Sequence, residues 1–436
     1  MPLTPAIHPV LIDPEGRMPS DRCTGDRYTV HAFAPVLSNL DIRHVYGSSV
    51  IARLDRRYLI VLGACLTQFT VVGLLFSYGL FFKSFELEYG WSRTLLSSCL
   101  SLAFLVGGIL SSFGGYLSDR YGPRLILAGA GALCGVGYAL LSQVTQPWQL
   151  FAVFGLFIGV AMATNDVVTL STIARQFERR RGIMTGVVKV GTAAGQISLP
   201  LVAAFLIALY DWRLALLSLG IGAAAVLLFA ALLMKSPSAS GGTDDKTEAA
   251  GVRLRDVRRS RTFWMLCAIQ FTFISSLTTI PLHIAVHGMD LGMSPALAAM
   301  LLSVIGATSV VGRLSVGALI FCFLPLTASL LMFLAISAPW LLFASVAVYG
   351  FGHGGLFTVM SPTVAEYFGL KAHGAIFGGV LFFGTIGAAS GPIMAGSIFD
   401  LTDSYAPAFA VLAALATLGL TLVLRLPASR PTVDGD

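Results

Sequence analysis

The stretch Gly115-Tyr116-Leu117-Ser118-Asp119-Arg120-Tyr121-Gly122-Pro123-Arg124 decides how this chain is read. It carries three charged groups, Asp119, Arg120 and Arg124, in a chain of which only 11% of residues are charged. The apolar run on each side is long enough to cross a bilayer, which takes about 20 residues. The stretch is therefore a polar hairpin between two membrane spans.

Working outward, the pattern repeats. The chain has 436 residues, 56% of them hydrophobic, whereas soluble domains carry about 25% charged residues. This is the composition of a polytopic membrane protein. Residues 58–425 supply twelve candidate spans: 58–82, 93–117, 124–144, 148–172, 183–208, 213–234, 262–286, 295–319, 320–338, 340–361, 374–398 and 406–425. All are expected to be helices, because lipid offers no partner to open backbone groups. The expected fold class is an all-α membrane protein with twelve transmembrane helices.

Basic residues alternate with the spans. Arg53, Arg56, Arg57, Arg120, Arg124, Arg175, Arg179 to Arg181, Lys235, Lys246, Arg253 to Arg261, Lys371 and Arg425 fall at one set of ends. The opposite ends hold little beyond Lys83, Arg93 and Arg213. This alternation is the positive-inside pattern, and it puts both termini in the cytoplasm. It accounts for the net charge of +6 without a nucleic-acid partner.

The six cysteines, Cys23, Cys65, Cys99, Cys134, Cys267 and Cys322, are scattered, with no C-x-x-C and no His/Cys cluster. They read as small apolar residues, not as a metal or disulfide framework, and no cofactor is expected. No Walker, kinase, hydrolase or zinc motif is present, so an enzyme is not expected. Residues 1–57 are polar, lack the apolar core of a signal peptide, and are expected to be a disordered cytoplasmic tail.

Ser236–Gly251 is the only long polar stretch after residue 57. Its composition reads as a flexible linker. It divides the chain into a bundle at 58–234, a cytoplasmic linker at 235–261, a second bundle at 262–425 and a tail at 426–436. The two bundles repeat each other. Arg56-Arg57 recurs as Arg258-Arg259, Gly90-Trp91-Ser92 as Gly292-Met293-Ser294, and Gly115 as Gly317, each 202 residues later. Pro147-Trp148 then recurs as Pro339-Trp340, Gly182 and Gly186 as Gly374 and Gly378, and Pro200 as Pro392, each 192 residues later. About ten residues are thus absent between Gly317 and Pro339. The second copy of the charged hairpin is missing, and a tight turn near Phe323-Leu324-Pro325 is expected between spans 8 and 9. Internal repeats of this kind underlie transporters that rock one bundle against another around a midplane site.

These features resemble the monocarboxylate-porter branch of the major facilitator superfamily, which includes oxalate:formate antiporters. Four stretches carry the resemblance: Tyr78–Lys83 with Gly90-Trp91-Ser92-Arg93, Gly115–Arg124, Phe177–Gly182 running into Gly186, Gly191 and Gly195, and Gly312-Arg313-Leu314. The resemblance implies two six-helix halves and transport by alternating access. It implies a cytoplasmic gate at Gly115, Asp119, Arg120, Gly122 and Arg124, with Asp119 accepting from a helix N-terminus when the carrier faces outward. It also puts a substrate-binding arginine at Arg313 and favours a histidine contact at His283. The glycines of spans 5 and 11 are expected to let helices approach closely and slide. Two departures limit the carry-over. Residues 378–391 lack the oxalate carrier's lysine, and Ser309 and Phe76 stand where vertebrate carriers have a carboxylate and a lysine.

Several residues are candidates for the transported solute. Arg313 can clasp a carboxylate through two parallel hydrogen bonds, or snorkel from the end of its span. Lys189 has the same two readings. Asp166 can pair with Lys189 or Arg313, take up a proton, or attract a cationic cargo. His283 and His353 can serve proton coupling or be ordinary hydrogen-bonded histidines. Tyr78 and Gln68 can line the cavity through span 1. The leading expectation is a small carboxylate carried by proton symport or anion exchange through a monomer in the cell membrane. The alternatives are a carrier of amines or drugs built on Asp166, and a transport-dead receptor or paralogue.

Overall fold

The computed structural model describes residues 56–177, 181–234, 257, 259–315, 318–335, 339–369 and 373–427. The N-terminal tail, most of the linker, Gly317, Lys371 and the last residues of the chain lie outside these. Eleven described helices are long and apolar enough to cross a membrane. They are α1 (Arg56–Tyr89), α2 (Arg93–Tyr121), α3 (Pro123–Leu141), α4 (Pro147–Gln176), α5 (Arg181–Leu209), α6 (Trp212–Leu233), α7 (Arg261–Asp290), α8 (Pro295–Ser315), α10 (Pro339–Phe368), α11 (His373–Thr402) and α12 (Ala406–Leu424). Helix α9 (Leu319–Phe333) is shorter, with 15 residues. At 1.5 Å per residue it is about 22 Å long.

The packing has the two-fold logic that the sequence repeat implies. In the first six helices α1 packs on α5, α2 on α4, and α3 on α6. In the last six, the equivalent pairs α7–α11, α8–α10 and α9–α12 form. The equivalence reaches single atoms. A Cβ on Gly195 would lie 2.1 Å from the carbonyl oxygen of Phe69, and one on Gly387 would lie 2.6 Å from that of Phe271. Those two contacts differ by the same 192- and 202-residue steps as the sequence. Bare backbone is what lets α1 approach α5 this closely. Not every glycine of these helices works so: a Cβ on Gly186 or Gly378 would meet open space. The halves join mainly through α2–α11 and α5–α8.

The junction of α8 and α9 differs from expectation. Pro325 lies inside α9, which starts at Leu319 with Ala318 as the residue that precedes it, so no turn falls at Phe323-Leu324-Pro325. A proline within a helix loses one backbone bond. Here Cys322, Phe323, Leu326 and Leu330, all fully buried, hold the helix through it. The far end of α1 also differs. The helix runs seven residues past the expected span, to Tyr89, and includes Lys83, Glu86 and Glu88. These charges do not end the helix, because they are paired with residues of other helices.

Gly122 turns the chain between α2 and α3 at φ 86°, in the left-handed region that favours glycine. Ser92 caps α2 by accepting from the Leu95 amide at 3.2 Å.

Candidate substrate site

Gln68 of α1 begins the site. It is fully buried inside a membrane helix, so all its polar atoms need partners. Its Nε2 donates to Oδ1 of Asp166 at 2.6 Å and to Oγ1 of Thr169 at 3.1 Å. Its Oε1 accepts from Oγ1 of Thr192 at 3.0 Å and from Nζ of Lys189 at 3.4 Å. The same Lys189 ammonium lies 2.7 Å from Oδ1 of Asp166. Helices α1, α4 and α5 are thus tied by one polar network around an ion pair. Of the partners open to Asp166, Lys189 is the one it meets.

The Asp166 side chain is 57% exposed although it lies mid-way along α4. A carboxylate turned into hydrocarbon would cost about 2.5–3.5 kcal/mol. Its charge is met there by Lys189 and Gln68.

Arg313 closes the site from the other half. Its Nη1 donates to the backbone carbonyl of Lys189 at 2.8 Å. Its Cζ sits 5.4 Å from the centre of the Phe357 ring, within cation–π range. Its buried Nε has no hydrogen-bond partner, and among the described residues no carboxylate pairs with it. The same Phe357 ring lies against His353, so the arginine and the histidine flank one aromatic side chain. His353 is fully buried on α10, and neither ring nitrogen has a partner. Phe76, Tyr349 and Phe357 surround it at centroid distances of 6.3, 5.5 and 5.4 Å.

Arg313, Lys189, Asp166, Gln68 and His353 are therefore brought together. Two other candidates are not. Tyr78 is buried within the first half, its hydroxyl donating to the Leu96 carbonyl at 3.1 Å and its ring 4.8 Å from that of Phe154. His283 lies toward the opposite end of the bundle. Its Nδ1 bonds the Tyr405 hydroxyl at 2.9 Å, and its Nε2 lies 3.2 Å from both Ser97 Oγ and the Pro392 carbonyl. Both ring nitrogens are taken.

The charged hairpin has its own arrangement. Asp119 pairs with Arg175 at the end of α4, within the same half. Arg120 lies 5.4 Å over the ring of Tyr121, and Gly115 packs on Val167. Asp119 makes no described contact with α11.

A second charged cluster was not foreseen. Arg93, 2% exposed, donates from Nε to Glu86 at 3.0 Å and from Nη1 to Asp290 at 2.7 Å. Lys83 bridges the same two carboxylates at 2.9 and 2.8 Å. The guanidinium lies 3.6 Å over the Phe399 ring. Read singly, these charges only mark span ends. The signal that could have found them is that acid and base sit together at the ends lacking excess positive charge.

The arrangement fits a known group of proteins. The profile of the Major Facilitator Superfamily matches residues 60–320. The chain belongs to the major facilitator superfamily. It is a multi-pass integral membrane transporter and not an enzyme. Among curated relatives, it is similar to monocarboxylate transporter 13 of Bos taurus, 28% identical over 388 residues, covering 85% of this chain and 89% of the relative. It is also similar to the MFS-type transporter pytF of Aspergillus terreus, 28% identical over 270 residues, covering 61% and 89%. Among solved structures, a mutant of the nucleoside transporter NupG shares the fold, with a TM-score of 0.70 at 13% identity, covering 85% of this chain and 100% of that one.

Proposed function

We propose that this transporter carries a small monocarboxylate by alternating access, with Arg313 as its principal contact. The single observation that carries this is the unpaired edge of the Arg313 guanidinium. One nitrogen is fixed by the Lys189 carbonyl, and the buried Nε is unpartnered. That leaves a fork matched to a carboxylate.

Charge supports a monoanion. Asp166 and Lys189 cancel each other, so Arg313 leaves the site with one net positive charge to be met. Similarity to monocarboxylate transporters of mammals points the same way. A cationic cargo is less well served, because Asp166 already accepts from both Lys189 and Gln68.

The same ion pair offers a route to proton coupling. A proton on Asp166 would free the Lys189 ammonium, giving the site a second positive centre at the moment an anion arrives. Symport of one proton with one anion follows, and anion exchange is what remains if Asp166 never titrates. From the distribution of Lys and Arg we place both termini in the cytoplasm, and we take the carrier to act as a monomer in the cell membrane. The division into bundles at 58–234 and 262–425 belongs to the same proposal.

The test is uptake of a panel of labelled solutes into proteoliposomes at two pH values, with Arg313→Ala alongside. Carboxylate uptake that vanishes in the variant, with the protein still folded and inserted, is the expected result. Undiminished uptake would remove the anion site.

A further inference from the structure

The two ends of α2 are held differently. At its start, the amides of Arg93 and Thr94 donate to the two carboxylate oxygens of Asp400 on α11, at 2.9 and 2.8 Å. The Thr94 hydroxyl donates to the same carboxylate at 2.6 Å, and lies 3.2 Å from Ser397 Oγ. The first amides of a helix have no partner within it. Ser92 serves the third of them, at Leu95. Asp400, from the other half of the molecule, serves the first two. Its negative charge also lies against the positive end of the α2 dipole.

The backbones meet there as well. A Cβ on Gly396 would lie 2.7 Å from the Arg93 carbonyl oxygen. Beside this contact lies the Arg93–Glu86–Asp290–Lys83 cluster, which also joins the halves. At the other end of α2 the aspartate of the charged hairpin, Asp119, pairs with Arg175 of its own half. The bundle is thus locked across its halves at the end carrying Asp400.

We propose that Asp400 is a state-selective latch. It caps α2 while this end is closed, and must let go for this end to open. The carboxylate lies at an exposed position, so on release both it and the freed amides pass to water without being stranded. The cap therefore biases the equilibrium between the two states without trapping one of them. Arg93 differs: its guanidinium is buried, and its bond to Asp290 also crosses the halves and parts with the cap.

The latch rests on the alternating-access reading above, though not on the cargo or on Arg313. It can be tested by spin-label distances between Leu87→Cys and Leu401→Cys, in a background whose six cysteines are replaced. These positions are 76% and 85% exposed, on α1 and α11 at the latched end. In nanodiscs without cargo, Asp400→Ala is expected to raise the ratio of long to short distances by roughly 5- to 30-fold, the scale of a lost helix cap. Asp400→Asn, which keeps an acceptor, should shift it less. Thr94→Val removes one donor and leaves the carboxylate, and should shift it roughly 2- to 10-fold. It also serves if the alanine variant does not fold. Two populations in an unchanged ratio in all variants would overturn the latch alone. One unmoving distance in every protein, with and without cargo, would overturn it together with alternating access.

Discussion

Arg313 donates to the backbone carbonyl of Lys189 at 2.8 Å, so α8 is tied to α5 at the residue whose side chain holds Asp166. The contact fixes the guanidinium by one corner and aims the rest of it. A change in how α5 sits against α8 would turn the fork as well as move it. Binding geometry and helix position are coupled through this one bond.

Arg313→Lys should fail to replace the arginine. A lysine keeps the charge but not the planar pair of donors. Charge-assisted hydrogen bonds contribute about 1.5–3 kcal/mol, so carboxylate affinity should fall roughly 10- to 150-fold. Competition binding on purified protein measures this directly. A lysine variant that binds as tightly as the parent would show that charge alone is read.

Asp166→Asn should leave the protein folded and anion binding intact, while flattening the dependence of uptake on pH. The asparagine still accepts from Gln68, but it cannot take up the proton that frees Lys189. Initial rates between pH 5.5 and pH 8 in proteoliposomes are the measurement. A profile parallel to that of the parent would assign coupling elsewhere, His353 being the next residue to examine.

Tyr78→Phe should transport normally. It removes one buried hydrogen bond to the Leu96 carbonyl, costing about 0.5–1.5 kcal/mol of stability. Thermal melting should therefore move while the Michaelis constant does not. A changed Michaelis constant with an unchanged melt would return Tyr78 to the cavity.

Gly195→Ala and Gly186→Ala should behave oppositely, although both glycines lie on α5. The first forces a methyl to within 2.1 Å of a backbone carbonyl and should destabilise by about 1–3 kcal/mol, or prevent insertion. The second meets open space and should be neutral or stabilising by up to about 1 kcal/mol. Detergent melting curves separate them. Equal destabilisation would mean that Gly186 is packed in the membrane.

The fold was legible because hydropathy and the internal repeat are written in residue type and spacing. The 202- and 192-residue steps anticipate contacts as local as Gly195 on Phe69 and Gly387 on Phe271. The site was legible in part. Arg313, Lys189 and Asp166 announce themselves because a charge inside a span is costly. Tyr78 and His283 do not betray which way they face. A helix rotates side chains by about 100° per residue, and neighbouring helices alone decide which face meets the cavity. Asp400 was invisible for another reason. It lies more than 300 residues from the amides it caps, and a single aspartate at a span end is ordinary.

The short ninth helix has a consequence for the lipid around it. A bilayer core is about 30 Å thick, and α9 offers about 22 Å. On that side of the protein the membrane has to thin or its neighbours have to tilt, at a cost that grows with each ångström of mismatch. Turnover should therefore respond to acyl-chain length. Thin bilayers should suit this carrier better than thick, sterol-rich ones, so the choice of lipid belongs among the variables of any reconstitution.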